Sequence, residues 1–109
     1  MRIRASITSR YINEADLKMA EIANALAHPL RVALVRYLHE KNSGKGVDNV
    51  TCNKDLVQLF DYSQSTISQH VKILKEVGLF QTENMDKFIF YHLNKELLQE
   101  FSDFLRLYP

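Results

Sequence analysis

Small hydrogen-bonding side chains cluster in residues 63–74, which read SQSTISQHVKIL. The apolar Ile67, Val71 and Leu74 recur at helical spacing, about 100° per residue. The opposite side of this helix carries Ser65, Ser68, Gln69 and Lys72. Glutamine amides can pair with adenine through two hydrogen bonds, and serine hydroxyls can bond several bases. The pattern therefore predicts a helix whose N-terminal part reads DNA bases, with Gln64 as a further reader and Lys72 on phosphate. It equally describes an ordinary capped surface helix, so the flanking elements must decide between the two.

Helical signals continue on the N-terminal side of this stretch. A helical pattern spans residues 11–27, and Pro29 suits the first position of a second helix, which needs no backbone N–H. Thr51 is placed to cap a short third helix, and Ser63 to cap the reading helix. Gly78 then stops that helix. Residues 51–77 therefore predict a helix-turn-helix.

After that glycine the pattern becomes extended. The segments LFQTE and KFIFYHL are rich in β-branched and aromatic residues, with NMD between them, so residues 79–93 predict a hairpin. Asn94 can cap a last helix over residues 95–108. The predicted fold is mainly α with a small β-hairpin wing: a winged helix-turn-helix that occupies residues 1–109 as a single domain.

Composition sets further bounds on function. The chain has 109 residues, a formal net charge of +1 and one cysteine, so an internal disulfide is impossible and a reducing compartment is expected. The N-terminal residues lack the apolar core of a signal peptide, and no apolar run approaches the ~20 residues of a membrane span. We therefore expect a cytoplasmic protein without a membrane partner. Glycine-rich phosphate loops and nucleophile–base motifs are absent, so no enzyme is predicted.

Three segments give the sequence a family resemblance: ALAHPLRVALVRYL, DLVQLFDYSQSTISQHVKILKEVGLF and KFIFYHLN. They resemble the ArsR/SmtB family of bacterial winged-helix repressors over residues 20–94. The resemblance implies a homodimer that binds a palindromic operator in double-stranded DNA and releases it when a signal arrives. It places the major-groove contacts on Gln64, Ser65, Ser68 and Gln69.

The same resemblance locates the remaining DNA contacts. His70 matches a common family histidine, although its helical angle puts it nearer the packed side. The wing would reach the neighbouring minor groove or the DNA backbone from Asn84, Asp86 and Lys87. Family wings often carry glycine with arginine or lysine at the tip; here Asp86 would repel phosphate, which leaves Lys87 as the contact. Charge around the reading helix is balanced, so an N-terminal arm, residues 1–10 with three arginines, can supply some of the missing positive charge.

The last helix carries more large apolar side chains than so short a chain can readily cover. In the family that the sequence resembles, the first and last helices form the dimer surface. The predicted interface residues are Ile12, Met19, Leu97, Leu98, Phe101, Phe104 and Leu105. A two-fold dimer would set the reading helices ~34–36 Å apart, about one turn of DNA. The alternative is that this whole face closes onto the core of its own protomer.

The sensing chemistry of the family is not evident here. Many members bind metal through a Cys-x-Cys pair before the short helix, but this chain reads TCNKDL, with Cys52 in the first position and Lys54 in the second. Residues 95–109 hold no histidine for a site on the last helix. We therefore predict no metal and no cofactor, and a redox role for Cys52 stays open.

The inducer and operator are not specified by the sequence. A winged-helix module for protein–protein contact remains the alternative function.

Overall fold

The computed structural model describes residues 11–42 and 51–107, which form five helices and three strands. In chain order the elements are α1 (Glu14–Ala25), α2 (Pro29–Asn42), β1 (Thr51–Cys52), α3 (Asn53–Phe60), α4 (Gln64–Glu76), β2 (Phe80–Met85), β3 (Phe88–Leu93) and α5 (Lys95–Arg106). This is the predicted winged helix-turn-helix, with α3 and α4 as the helix-turn-helix and β2–β3 as the wing. Within the described ranges, none of the helices combines the length and the apolar character needed to cross a bilayer.

Helix α4 begins and ends at its predicted signals. The Ser63 hydroxyl accepts a hydrogen bond from the Thr66 N–H at 3.2 Å, which satisfies one of the free donors of the first turn. At the other end Gly78 has φ +87°, a conformation that glycine adopts without the steric cost of a Cβ. Between α3 and α4, Asp61 takes a left-handed conformation with φ 54°. These two breaks turn the chain before and after α4.

The sheet has three antiparallel strands in the order β1–β3–β2. Sequence patterns predicted the hairpin but not β1, in which Cys52 pairs with Phe90. The prediction that Thr51 caps α3 is wrong, because Thr51 belongs to β1 and Cys52 occupies the N-cap. There the Cys52 N–H donates to the Asp55 carboxylate at 3.0 Å. A two-residue strand is too short to show alternation, so only its partner on β3 identifies it.

The wing lies within the predicted range, but its turn is shorter than the predicted NMD segment. Asn84 and Met85, expected in the turn, pair with Ile89 and Phe88 as the last residues of the ladder. The turn is thus the two-residue loop at positions 86 and 87, and Asp86 has φ 58°. Two-residue hairpin loops require positive φ, which aspartate tolerates better than most residues. The charged residues Asp86 and Lys87 therefore form the tip of the hairpin by themselves.

The core lies where the helices close on the inner face of the sheet. Its buried side chains are Met19, Ile22, Ala25, Leu30, Leu34, Val35, Leu38, Leu56, Ile67, Val71, Leu74, Leu79, Phe80, Tyr91, Leu93 and Leu97. The terminal helices α1 and α5 are shorter than the predicted spans 11–27 and 95–108, and residue 108 lies outside the described residues. The predicted arm, residues 1–10, also lies outside them.

Asn94 joins the turn that follows α4 to the first turn of α5. Its N–H donates to the Leu79 carbonyl at 2.8 Å, and its Nδ2 donates to the Gly78 carbonyl at 3.2 Å. Its Oδ1 accepts from the Leu97 N–H at 3.2 Å, the predicted cap of α5. Asn94 therefore holds the start of α5 against the end of α4.

Replacing Asn94 with alanine is expected to lower the free energy of unfolding by about 1–3 kcal/mol, since it removes a helix cap and a further hydrogen bond. Asn94→Asp keeps the capping oxygen but loses the Nδ2 donor, so its loss should be smaller. Urea unfolding measures both. Asn84→Ala, which truncates an exposed amide, is the control and should stay within about 0.5 kcal/mol. A similarly small loss for Asn94→Ala would show that Asn94 does not hold α5 against the end of α4.

Candidate nucleic-acid interface

A polar ridge runs along the solvent side of α4. Its members, spaced three, four and seven residues from the first, are the exposed Ser65, Ser68, Gln69 and Lys72. Ile67, Val71 and Leu74 are buried on the opposite side, between 0 and 5% exposed. The buried side fixes the rotation of α4, so the ridge faces outward. It is narrow and carries small hydroxyls, which allows close approach of a nucleic-acid groove.

Gln64 differs from the other predicted readers. It is half-buried, and its Nε2 donates to the Ser68 hydroxyl at 2.9 Å. Its side chain also shares a hydrogen bond with Tyr91, a residue of β3 that is 2% exposed. Burial raises the pKa of Tyr91, the Gln64 bond acts in the opposite direction, and Cys52 adds to the increase. Gln64 thus connects α4 with the wing and orients Ser68.

The wing carries little net charge at its tip. Asn84, Asp86 and Lys87 are all exposed there, so the tip presents one carboxylate beside one ammonium. Met85, next to them, is 52% exposed. The tip therefore offers one cation and one apolar side chain to a partner.

Lys54 is a further basic residue of this surface, beside the wing. It lies in the first turn of α3, with its Nζ 5.0 Å from the centroid of the Phe88 ring at the start of β3. A cation over an aromatic face is held by the ring quadrupole. The two residues are far apart in sequence, so no local pattern could have placed Lys54 beside the wing. It adds a second ammonium near Lys87.

His70 lies on the packed side of α4, behind the ridge. Its ring centroid is 4.5 Å from that of His28, and its Nδ1 is buried without a hydrogen-bond partner among the described residues. Arg31 is nearby, with its Nε donating to the Ala25 carbonyl at 2.7 Å. Burial, followed by the charges of His28 and Arg31, lowers the pKa of His70 below 6.5. His70 is therefore neutral at pH 7 and packs as an uncharged ring.

This cluster predicts a loss of stability in mild acid. In the unfolded chain the histidine pKa is 6.5, and in the folded protein that of His70 is lower, so between the two values the unfolded state binds more protons. The contribution of neutral His70 is complete above pH 6.5 and is lost as pH falls, with a slope of up to about 1.4 kcal/mol per pH unit. Urea unfolding across this range measures it.

The matched variants separate this cluster from other titrating groups. His70→Gln should flatten the pH slope, whereas His39→Gln, which lies outside the cluster on α2, should keep it. An unchanged slope in His70→Gln would show that the acid sensitivity has another origin.

The residues predicted for the dimer face fall into two groups. Met19 and Leu97 are 4% and 8% exposed, so they belong to the core of the protomer and their burial needs no second copy. Leu105 is 53% exposed. The half-buried members are Ile12, Leu98, Phe101 and Phe104. The surface left for a partner is thus the outer side of α5 with Ile12.

Helices α1 and α5 also pack on each other within the protomer. Lys18 Nζ lies 3.0 Å from a carboxylate oxygen of Glu100, and both side chains are about half exposed. Exposed pairs of this kind contribute roughly 0–1 kcal/mol. The pair therefore marks where the two terminal helices meet and contributes little to stability.

The described residues do not form a candidate metal centre. Within these ranges, no group of three or more histidine, cysteine or acidic side chains is close enough to hold an ion. Cys52 is a free, half-buried thiol at the edge strand β1.

Known proteins are similar to this chain in sequence and in fold. A profile of the bacterial regulatory protein arsR family matches residues 28–82. The HTH-type transcriptional regulator YbzH of Bacillus subtilis is 28% identical over 79% of this chain and 93% of YbzH. The HTH-type transcriptional repressor SmtB of Mycobacterium tuberculosis is 34% identical over 67% of this chain and 48% of SmtB, so the chain spans about half the length of that relative. The structure of HlyU from Vibrio cholerae superimposes with a TM-score of 0.67 and 26% identity, over 89% of this chain and 98% of HlyU.

Proposed function

Since this chain belongs to the arsR family of bacterial regulatory proteins, we propose that it is a transcriptional repressor that binds a palindromic operator as a homodimer. The observation that carries this proposal is the exposed polar ridge of α4 above a fully packed apolar side. In a helix-turn-helix the N-terminal part of the second helix contacts base edges in the major groove. Repression requires action on chromosomal DNA, so the protein would work in the cytoplasm.

The residues of the ridge take distinct roles in this proposal. Ser65, Ser68 and Gln69 read bases, because their side chains are exposed and able to donate and accept hydrogen bonds. Gln64 holds Ser68 in its reading orientation and contributes to the readout through it. The N–H groups of the first turn of α4 add positive potential for a phosphate.

Phosphate contacts come from Lys72 on α4, Lys87 at the wing tip and Lys54 beside the wing. Nearby carboxylates, including Glu76 and Asp86, offset much of this charge. One protomer therefore neutralises few phosphates, and phosphate contacts supply much of the affinity for DNA. We infer that tight binding needs two protomers, joined through the outer side of α5.

Selection from random duplexes followed by titration tests the proposal. The purified protein should enrich a sequence with two-fold symmetry and half-sites about one helical turn apart. Binding to this sequence should exceed binding to a scrambled duplex and weaken as salt rises. Equal affinity for the selected and scrambled duplexes at every salt concentration would refute specific DNA binding.

The alternative is a winged-helix module that binds another protein. It is favoured by the balanced charge of the candidate surface and by two exposed apolar side chains near the turn of the helix-turn-helix, Leu59 at 54% and Tyr62 at 47%. The hydroxyl and amide groups of the ridge favour DNA. The selection experiment distinguishes the two functions, since a protein-binding module enriches no duplex.

A further inference from the structure

A cleft of about 380 Å³ opens between the helices behind the ridge. It lies where α1, the start of α2 and the C-terminal end of α4 meet. Its lining residues are Glu21, Asn24, Ala25, Arg31, Ile73, Glu76 and Val77. A volume near the lower end of the range for ligand pockets suits a small metabolite more than a drug-sized molecule.

The charges of this cleft are opposite in sign and are not neutralised by each other. Glu21 enters from α1 and Glu76 from α4, and both are exposed. Arg31 enters from α2, half-buried, with its Nε fixed on the Ala25 carbonyl at 2.7 Å. Among the described residues, Arg31 has no carboxylate oxygen within ion-pair distance. The cleft therefore keeps a guanidinium and two carboxylates available on separate walls.

An apolar wall lies between these charges. Ala25 is 1% exposed, and Ile73 and Val77 are half-buried and packed against the core. A ligand that fits has an ammonium for the two carboxylates, a carboxylate for Arg31 and an apolar part for this wall. Guanidinium–carboxylate pairs are among the stronger charge-assisted hydrogen bonds, which favours a carboxylate over a neutral acceptor.

We propose that this cleft is an effector site for a small zwitterion of the α-amino-acid class, bound between Glu21, Glu76 and Arg31. The ammonium lies between the carboxylates of α1 and α4, the ligand carboxylate lies on Arg31, and the side chain packs on Ile73 and Val77. The binding part of the inference is independent of DNA. The regulatory part rests on the proposed function.

The position of the cleft couples its occupancy to DNA binding. One wall is α4, whose preceding turns carry the reading ridge. Another wall is α1, which packs on α5 and thus on the proposed dimer face. A ligand that bridges α1 and α4 fixes the reading helix relative to the dimer helices. Because coupling is reciprocal, operator DNA must change the affinity for the zwitterion by the same factor by which the zwitterion changes operator affinity.

Calorimetric titration of the full chain with each proteinogenic α-amino acid tests the site. At least one apolar amino acid should bind saturably. Its C-terminal amide, which lacks the carboxylate, and its N-acetyl derivative, which lacks the ammonium, should each bind about tenfold or more weakly, since each loses a charge-assisted contact. Failure of every amino acid to saturate, or equal binding of the blocked derivatives, overturns the inference.

Matched variants locate the binding. Glu76→Gln and Glu21→Gln remove one carboxylate each without changing side-chain size, and both should weaken binding. Glu14→Gln changes a carboxylate on α1 outside the cleft and should leave the affinity unchanged.

A residue-specific readout comes from His70, whose pKa the charge of Arg31 helps to lower. A ligand carboxylate on Arg31 offsets that charge, so the pKa of His70 measured by NMR should rise on binding. If the pKa of His70 does not change on binding and Glu76→Gln binds as tightly as the unmodified protein, the amino acid binds elsewhere and the site is refuted.

The regulatory part is measured on the selected operator with and without the bound amino acid. A change in operator affinity supports it, and unchanged affinity at saturation overturns it. If the amino acid binds but no duplex is enriched, the proposed function fails while the cleft stands. If the operator is bound but no amino acid is, the cleft fails while the proposed function stands.

Discussion

Replacing Leu105 with glutamate is expected to convert the protein into a monomer and to abolish operator binding at concentrations where the unmodified protein binds. Leu105 is 53% exposed on the outer side of α5, so its substitution leaves the core of the protomer intact. In the proposed dimer both copies of Leu105, one from each protomer, are buried at the interface. Since about half of each leucine is already covered within the protomer, the two losses amount to roughly 1.5–3 kcal/mol, which weakens the dimer by about 10- to 150-fold. Two buried carboxylates would increase the loss further.

Sedimentation of the two proteins at micromolar concentration checks this result. Leu59→Glu is the matched control: the side chain is 54% exposed, lies on α3 and undergoes the same chemical change. It should leave the dimer intact, while Leu105→Glu sediments as a monomer. The monomer should keep a cooperative thermal transition, at a lower temperature because the stabilisation by dimerisation is lost. A dimeric Leu105→Glu protein would exclude the outer side of α5 as the interface.

Replacing Gln69 with alanine should lower affinity for the selected operator by about 1–3 kcal/mol per half-site, roughly 5- to 150-fold, and relax the preference at one base pair in each half. Affinity for scrambled duplexes should stay the same, because the amide reads a base edge and not the backbone. Gln69 is exposed, and alanine is the better helix former, so stability should not fall. Competition binding against duplexes substituted at single base pairs measures the change.

Lys72→Ala, one turn farther along the ridge, is the control for Gln69. It should weaken selected and scrambled duplexes alike and reduce the salt dependence, as expected for a phosphate contact. If Gln69→Ala also lowers affinity for both duplexes equally, Gln69 contacts the backbone and base reading must come from the serines.

Local signals predicted both boundaries of α4 and the start of α5, because each depends on chemistry within a few residues. Ser63 and Asn94 cap α4 and α5, and Gly78 ends α4, as their types and positions indicated. Strand β1 was missed because it gains its pairing from β3, far along the chain. The same holds for Lys54, which acquires its place beside the wing only when the hairpin folds back.

Apolar periodicity predicted which side of each terminal helix avoids water, but not what covers it. Met19 and Leu97 share that character with Leu105, and yet the first two fill the core of the protomer. The difference depends on the angle between α1 and α5, which no local pattern specifies. His70 is a similar case. Its helical angle predicted that it lies on the packed side of α4, but its contact with His28 depends on how α4 packs against the start of α2.

The hydrogen bond between Gln64 and Tyr91 ties the first turn of α4 to the central strand of the sheet. It is one of the contacts that set the separation between α4 and the hairpin, the two elements that would touch DNA. A binding site with an extra base pair between the bases read by α4 and the groove under the hairpin would require α4 to shift against the hairpin, at the cost of this contact. We therefore expect related proteins to change their operator preference by exchanging side chains along α4. The spacing between the bases that α4 reads and the groove under the hairpin should stay constant.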